Sequence, residues 1–206
     1  MDFDGDSAEP LPQMEFLFLG GNLALDLVNT KRSRRIPGSR TIIQYDQLYE
    51  ADQAAAWWTE AEEKHGLKIE GQSWADEAFE LLLALRIELR SVFESLREGR
   101  RADCPTPVLN RILARGSFLL RVGTEGVSRE YASREGGYDP LLRIALSASR
   151  LLAKGDLSRL RGCRSERCTI LFYDTTKSGT RHWCRSECMN RSRARANYRR
   201  RKDGGT

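Results

Sequence analysis

The sequence predicts a mainly α-helical (α+β) N-terminal domain with one small β-hairpin, followed by a C-terminal treble-clef-like ββα zinc module. Three observations predict this fold class. Apolar residues recur at helical spacing over much of the chain before residue 156, four of the five cysteines lie beyond that point, and the charge changes sign there. The length of 206 residues suits one ordinary domain with a small appendage.

The charge divides the chain between Gly155 and Gly162. Residues 159–202 hold fourteen Lys or Arg and three acidic residues, whereas the remainder holds twenty and twenty-six. The formal net charge of +5 therefore combines a segment at +11 with a remainder at −6. We predict an acidic leader over residues 1–13, a helical domain over 14–156 and a basic module over 159–202.

The N-terminal sequence and the apolar runs indicate the cellular compartment of the protein. The opening MDFDGDSAEP lacks the basic and apolar regions of a secretory signal. The longest apolar runs, such as Leu81 to Leu85, are far shorter than the roughly 20 residues needed to cross a bilayer. We expect a cytoplasmic protein with reduced cysteines and no membrane partner.

The helical domain is expected to open with a short buried helix after Gly20 and Gly21, with Asn22 as its N-cap. Residues 31–40, KRSRRIPGSR, are predicted to form a loop. Residues 42–64 predict one or two helices, because they combine few helix breakers with abundant Ala and Glu.

The clearest helix follows, from Ser73 as N-cap to Glu98, and Gly99 stops it. Residues 105–114 predict a short helix that starts at a proline. The segments SFLLRV and VSREYAS, separated by GTEG, predict the single hairpin of the domain. A last helix over residues 139–154 carries a broad apolar face and leads into the basic module.

The four clustered cysteines are spaced as two close pairs. Cys163 and Cys168 are separated by four residues, Cys184 and Cys188 by three, and fifteen residues lie between the pairs. Each pair can supply two ligands of a tetrahedral thiolate site, and ILFYD and TRHWC predict strands of a hairpin between them. The last ligand is expected in the first turn of a helix. We predict one structural Zn²⁺, with no open coordination position.

Other interpretations of these cysteines are weaker. Four buried thiols or two disulfides would not require such pairing, and a disulfide is disfavoured in the cytoplasm. An iron–sulfur cluster competes less well, because the flanking sequence indicates a hairpin and a helix. His182 could replace one ligand, but beside Trp183 on a strand it is expected to point away from the metal. Cys104 stands apart and is interpreted as a structural thiol.

The helix after Cys188 is strongly basic. Arg191, Arg195, Arg199 and Lys202 form one stripe on it, and such a concentration of cations would repel itself unless phosphates neutralise it. The alternative for residues 199–202 is a disordered basic tail with non-specific affinity for RNA. The side chains predicted to contact nucleic acid, including two Asn amides able to read base edges, are Arg181, Asn190, Arg191, Arg193, Arg195, Asn197, Arg199, Arg200, Arg201 and Lys202.

The module resembles the CGNR-type zinc finger over nearly its whole length. The paired cysteines, the Phe-x-Asp strand end at Phe172, the Arg-x-Trp-Cys run that begins at Arg181, and the Cys-x-Asn-Arg ending at Arg191 all match. Met189 stands where the signature has Gly. We expect helical backbone at Met189, which tolerates the change.

The segment FLGGNLALDLVNT resembles the opening of the ABATE domain, which usually precedes this finger in proteins described as stress-induced transcription regulators. The likeness is strong over about a dozen residues and otherwise rests on helix order. It implies a bacterial regulator with a C-terminal DNA-binding finger.

We therefore expect a transcription regulator on double-stranded DNA, associated with the nucleoid. RNA or ribosome association is the main alternative, although few aromatic residues near the finger could stack unpaired bases. A protein-interaction module is disfavoured by the arginines. One recognition helix covers few base pairs, so a homodimer through the N-terminal domain is plausible.

Enzyme function is not expected. The chain has two histidines and no apparent acid–base or nucleophile constellation. A second alternative is ligand sensing by the N-terminal domain, in a pocket with Asp26 and Asn29 or one lined by Trp57, Trp58 and Trp74. Asp26 and Asn29 could instead have structural roles in helix capping and buried hydrogen bonds. The tryptophans could instead belong to the hydrophobic core.

Overall fold

The structure is a computed structural model. It describes residues 15–35, 42–67, 76–100, 106–124, 126–134, 137–166 and 168–203. The predicted acidic leader, Ser73, Trp74 and Cys104 lie outside the described residues.

Within those residues, six α-helices and three antiparallel strand pairs follow one another along the chain. The mainly helical fold class with a C-terminal zinc module is confirmed. In order, the elements are α1 (Leu23–Asn29), β1 (Lys31–Arg35), β2 (Ile42–Asp46), α2 (Ala51–His65), α3 (Asp76–Arg97), α4 (Pro107–Ala114), β3 (Gly116–Gly123), β4 (Gly126–Ser133), α5 (Asp139–Lys154), β5 (Leu160–Gly162), β6 (Leu171–Tyr173) and α6 (Ser186–Asp203).

Helix α1 lies at the centre of the main core and is buried at every position. The side chain of Asn22 caps it, as predicted, by accepting hydrogen bonds from the backbone N–H groups of Ala24 at 3.0 Å and Leu25 at 3.4 Å. The helix packs against α3 and α5, and also against β6 of the C-terminal module. Trp57 and Trp58 of α2 lie in the same core, with 1% and 3% of their surface exposed.

Several predicted helix boundaries are confirmed. Helix α5 spans Asp139–Lys154, and α4 ends at Ala114. Helix α3 runs to Arg97, and Gly99 follows with a φ of 78°, the left-handed conformation that suits glycine after a helix. The predicted hairpin is present as β3 and β4.

The segment after α1 corrects two predictions. Residues 31–40 were expected to form a loop and 42–64 helices, yet β1 pairs antiparallel with β2 and α2 begins only at Ala51. Among the described residues, the N-terminal domain therefore has two antiparallel strand pairs. The guanidinium of Arg86 donates to both carboxylate oxygens of Asp46, at 2.6 and 2.7 Å, and to Thr30 Oγ1 at 3.1 Å. This pairing with the buried Arg86 of α3 stabilises the strand pair, and local sequence preference does not encode it.

The β3–β4 hairpin exposes an apolar surface. Phe118, Leu120, Val122 and Val127 are exposed by 59%, 69%, 84% and 67% of their surface. Arg129 lies 3.7 Å above the centre of the Phe118 ring, which covers one part of this surface.

No helix among the described residues is both long and apolar enough to cross a membrane.

The C-terminal module differs from its predicted strand pairing. The expected hairpin joined residues 170–174 to 180–184, whereas β6 pairs with β5, and residues 180–184 form no strand. The hairpin thus encloses the first cysteine pair instead of separating the two pairs. The buried carboxylate of Asp174 accounts for the difference, because it accepts a hydrogen bond at 2.7 Å from the backbone N–H of Arg181 and so holds that segment without a strand ladder.

Candidate metal centre and basic helix

Four cysteine sulfurs converge in the C-terminal module. Cys163 and Cys168 lie between β5 and β6, Cys184 precedes α6, and Cys188 lies in its first turn, where the sequence predicted the last ligand. All four Sγ atoms lie within 4.8 Å of one another. The Sγ atoms of Cys168 and Cys184, and those of Cys184 and Cys188, are 3.7 Å apart. A tetrahedral Zn²⁺ with Zn–S bonds of about 2.3 Å requires sulfurs about 3.8 Å apart, so the site fits zinc.

The proton affinities of these thiols are strongly coupled. Hydrogen bonds from Cys168 and Cys184 lower the pKa of Cys163 to about 2. The donating thiols must stay protonated, which raises the pKa of Cys168 to about 12 and also raises that of Cys184. One thiolate thus forms readily, while further thiolates need a counter-charge. A divalent cation supplies that charge and releases the remaining protons.

A small apolar core surrounds the sulfurs. Phe172 of β6 and the preceding residue Ile170 pack with Cys184 and Cys188, and all four residues are at most 2% exposed. The indole N–H of Trp183 donates to Ser192 Oγ at 3.1 Å, which joins the segment before Cys184 to the second turn of α6. The helix therefore has a fixed orientation on the metal centre.

Arg181, which the sequence assigned to nucleic acid, makes contacts inside the module. Its guanidinium donates to the backbone carbonyls of Trp183, at 3.0 Å, and Cys184. The same group lies 4.6 Å from the centre of the Phe172 ring. These contacts shape the chain that carries the third ligand.

Asp174 closes the loop before Arg181. Its carboxylate accepts hydrogen bonds from the N–H of Thr176 at 2.9 Å and from Thr176 Oγ1 at 2.6 Å, in addition to the bond from Arg181. Burial opposes ionisation of this carboxyl group, but the hydrogen bonds outweigh it and keep the pKa of Asp174 below its usual value. The sequence indicated Asp174 only through its match to the zinc-finger motif. The groups that donate hydrogen bonds to its carboxylate lie in an irregular loop, which no sequence pattern predicts.

The basic helix presents two different faces. Cys188, Ser192, Arg195 and Arg199 are three or four residues apart and share the face toward the metal module. Glu166, in the turn between Cys163 and Cys168, forms ion pairs with Arg195 and, at 3.2 Å, with Arg199. Glu166 could not be recognised from the sequence, because nothing in the spacing indicates that the ligand turn reaches the third and fourth turns of α6.

The opposite face of α6 points to solvent. It is formed by exposed amide and guanidinium side chains, one pair of which is joined by a 3.0 Å hydrogen bond from Arg200 to Asn197. The residues of this face are Asn190, Arg193, Asn197, Arg200 and Arg201. The other predicted contact residues, Arg191 and Lys202, are also exposed, but they lie on the side of the helix that carries Arg195 and Arg199.

The two residues of the predicted N-terminal pocket are both buried and hydrogen-bonded within the chain. Asp26 accepts a bond at 2.7 Å from the N–H of Gly20, and its second oxygen lies 2.9 Å from His65 Nε2. Burial raises the pKa of Asp26, although these hydrogen bonds oppose the shift. Asn29 donates to the carbonyl of Leu171 at 2.8 Å and accepts from the N–H of Leu171 at 2.9 Å.

Asn29 is part of a broader junction between the N-terminal domain and the finger. The N–H of Tyr173 donates to the carbonyl of Gly20 at 2.7 Å. Arg90 of α3 donates a hydrogen bond at 2.9 Å to the carbonyl of Thr169. The hydroxyl of Thr169 accepts a hydrogen bond at 3.1 Å from the N–H of Ser33 in β1. The finger is thus joined to α1, β1 and α3.

Two family profiles match the chain. The ABATE profile, described as "Putative stress-induced transcription regulator", matches residues 21–155. The chain belongs to the ABATE family. The CGNR zinc finger profile matches residues 159–201 of this ABATE protein. No curated protein matches the chain.

These families agree with the geometry of the metal centre. The match to the CGNR zinc finger and the four converging cysteines confirm the prediction of one structural zinc in this ABATE protein. Neither profile belongs to an enzyme family. Among the described residues, His182 is outside the metal-binding group, and its ring lies at 82° to that of Trp183.

Proposed function

We propose that this ABATE protein regulates transcription by binding double-stranded DNA through α6. The observation that carries the proposal is the division of the helix into two faces. Its inner face carries a zinc ligand and the two arginines paired with Glu166, while its outer face is exposed and holds two Asn and three Arg side chains. A cationic helix on a rigid metal scaffold suits the major groove of DNA.

The outer face offers both kinds of contact that DNA recognition uses. Asn190 and Asn197 carry amides of the kind that bind adenine N6 and N7. Arg193, Arg200 and Arg201 can bind phosphates and release counterions. The surface has few exposed aromatic rings on which unpaired bases could stack, Tyr198 at 70% exposure being the main one on the helix. Duplex DNA is thus the better match than single-stranded RNA.

The proposal includes pairing of two chains on one DNA site, in the cytoplasm at the nucleoid. A single recognition helix covers few base pairs, so a symmetric pair would double the recognised sequence. The exposed apolar side chains of β3 and β4 offer a surface in the N-terminal domain for this contact.

The distal arginines provide the direct test. We expect Arg200→Ala with Arg201→Ala to weaken binding to all duplexes alike, because both side chains would contact phosphates. The slope of log affinity against log salt should fall by about 0.9 for each lost contact. Removal of two exposed cations from α5, in Arg150→Ala with Lys154→Ala, is the charge-matched control and should leave the slope unchanged. Fluorescence anisotropy with zinc-loaded full chain measures these slopes.

The same titrations with single-stranded RNA decide between nucleic acids. Tighter binding to RNA than to duplex at matched salt, or a duplex slope that the double variant leaves unchanged, would contradict the proposal. The first of these outcomes would favour the RNA-associated alternative.

Glu166 gives a further expected result. Its carboxylate neutralises Arg195 and Arg199, so Glu166→Gln should increase duplex affinity at low salt and steepen the salt dependence by up to about 0.9 for each released arginine. Stability should change by no more than about 1 kcal/mol, because all three side chains are at least 45% exposed. Glu98→Gln, which removes an exposed acid paired with Arg97 and Arg100, is the control. Weaker duplex binding by Glu166→Gln would contradict this expectation. It would show that the ion pairs with Glu166 hold α6 in position for DNA and do not reduce its affinity.

A further inference from the structure

The strand β1 has an unusual composition for the N-terminal domain. Four of its five residues are cationic, in the run Lys31 to Arg35, although the chain outside the basic module is net acidic. The strand also contacts the finger, through the hydrogen bond from the N–H of Ser33 to Thr169 Oγ1. The strongest cationic run of the acidic domain therefore adjoins the basic module.

A cavity of about 330 Å³ lies at this contact. Its lining includes Arg32 of β1, Arg185 beside the third zinc ligand, and Arg191 of α6. Three of the four zinc ligands also line it, together with Tyr45 of β2 and the acidic residue Glu15. Three arginines from two domains thus line one space beside α6 and the zinc ligands.

The position of Arg32 has an electrostatic cost. Its side chain is half-buried, and burial together with the nearby positive charge of Arg185 lowers the pKa of Arg32. The sulfurs of Cys168 and Cys184 act in the opposite sense and partly offset the cost. A bound anion between the guanidinium groups would offset the burial of Arg32 further, in addition to the zinc thiolates.

We infer that Arg32, Arg185 and Arg191 form a binding site for a phosphate group, contributed jointly by the N-terminal domain and the finger. Guanidinium groups suit the site, because each can donate two parallel hydrogen bonds to phosphate oxygens. The phosphate expected there is one of the DNA backbone, next to the bases contacted by α6, so the inference rests on the proposed function. It adds that the N-terminal domain contacts the same DNA as the finger.

The test compares Arg32→Gln with Lys31→Gln in the zinc-loaded full chain. Lys31 is the neighbouring cation on β1, but it pairs with Asp46 at 3.8 Å and does not line the cavity. We expect Arg32→Gln to weaken duplex binding roughly three- to tenfold at low salt and to reduce the salt slope by about 0.9, whereas Lys31→Gln should match the unmodified chain. Zinc release to a chelator should proceed at the same rate in all three proteins.

A second arm uses inorganic phosphate without DNA. Phosphate that raises the melting temperature of the unmodified chain but not of Arg32→Gln, with duplex slopes unchanged, would support the site with free phosphate as its ligand. Unchanged duplex binding and no phosphate effect, with faster zinc release from Arg32→Gln, would overturn the inference and leave Arg32 as a counter-charge to the thiolates. Failure of the unmodified chain to bind any duplex would instead reject the proposed function, and the phosphate arm would still decide the site.

Discussion

Replacement of Cys184 by Ser is expected to abolish stoichiometric zinc binding. Its sulfur lies 3.7 Å from those of both Cys168 and Cys188, so its loss removes the ligand that joins the two pairs. Zinc contributes on the order of 10–16 kcal/mol to the folding of small finger modules. The core of this module consists of few residues besides the ligands, such as Ile170 and Phe172, and cannot replace that contribution.

Elemental analysis after gel filtration measures the zinc content, and limited proteolysis measures order in residues 159–203. We expect about one zinc per unmodified chain, little in Cys184→Ser, and rapid cleavage of the variant after the N-terminal domain. Cys104→Ser is the matched control, because Cys104 stands apart in sequence from the two cysteine pairs and the variant should retain the zinc. A Cys184→Ser protein with stoichiometric zinc and a protease-resistant C-terminus would refute the assignment.

The second large effect is expected from Asn29→Ala. The amide of Asn29 is 1% exposed and satisfies both the N–H and the carbonyl of Leu171, which is itself 2% exposed. The substitution leaves two buried backbone groups without this partner, at about 1–3 kcal/mol each. We expect the free energy of unfolding to fall by about 2–6 kcal/mol.

Urea denaturation of the zinc-loaded chain measures this change, and hydrogen exchange at the amide of Leu171 localises it. Asn110→Ala on the exposed surface of α4 removes an equivalent side chain and should alter stability by less than about 0.5 kcal/mol. An Asn29→Ala protein as stable as this control, with undiminished protection at Leu171, would mean that the junction does not depend on Asn29.

The features that sequence analysis predicted correctly depend on local patterns. The spacing of Cys163, Cys168, Cys184 and Cys188 was sufficient to predict a thiolate site, because close pairs have few other uses. The capped start of α1 and the bounds of α5 likewise follow from residues adjacent to each other in the chain. Each of these signals is contained within one short segment.

The features that it missed depend on partners that are distant in sequence. The β1–β2 hairpin is stabilised by Asp46 and Arg86, forty residues apart, and was interpreted as a loop and a helix. The bonds between Asn29 and Leu171 connect residues 142 positions apart. Neither pairing leaves a periodic pattern, so only the folded chain reveals them.

Strand β6 shows that the finger is not an independent module that could be transferred to another protein. Side chains alternate along this part of the chain, so Leu171 belongs to the core of the N-terminal domain, while Phe172 and the preceding residue Ile170 belong to the core around the sulfurs. Leu160 of the partner strand also belongs to the first core. A chimera that moves residues 159–203 to an unrelated protein would transfer only one side of this packing interface. Apolar side chains and backbone groups of β6 would then be exposed to water. A transplant that keeps its function must therefore carry the surface of α1 with it.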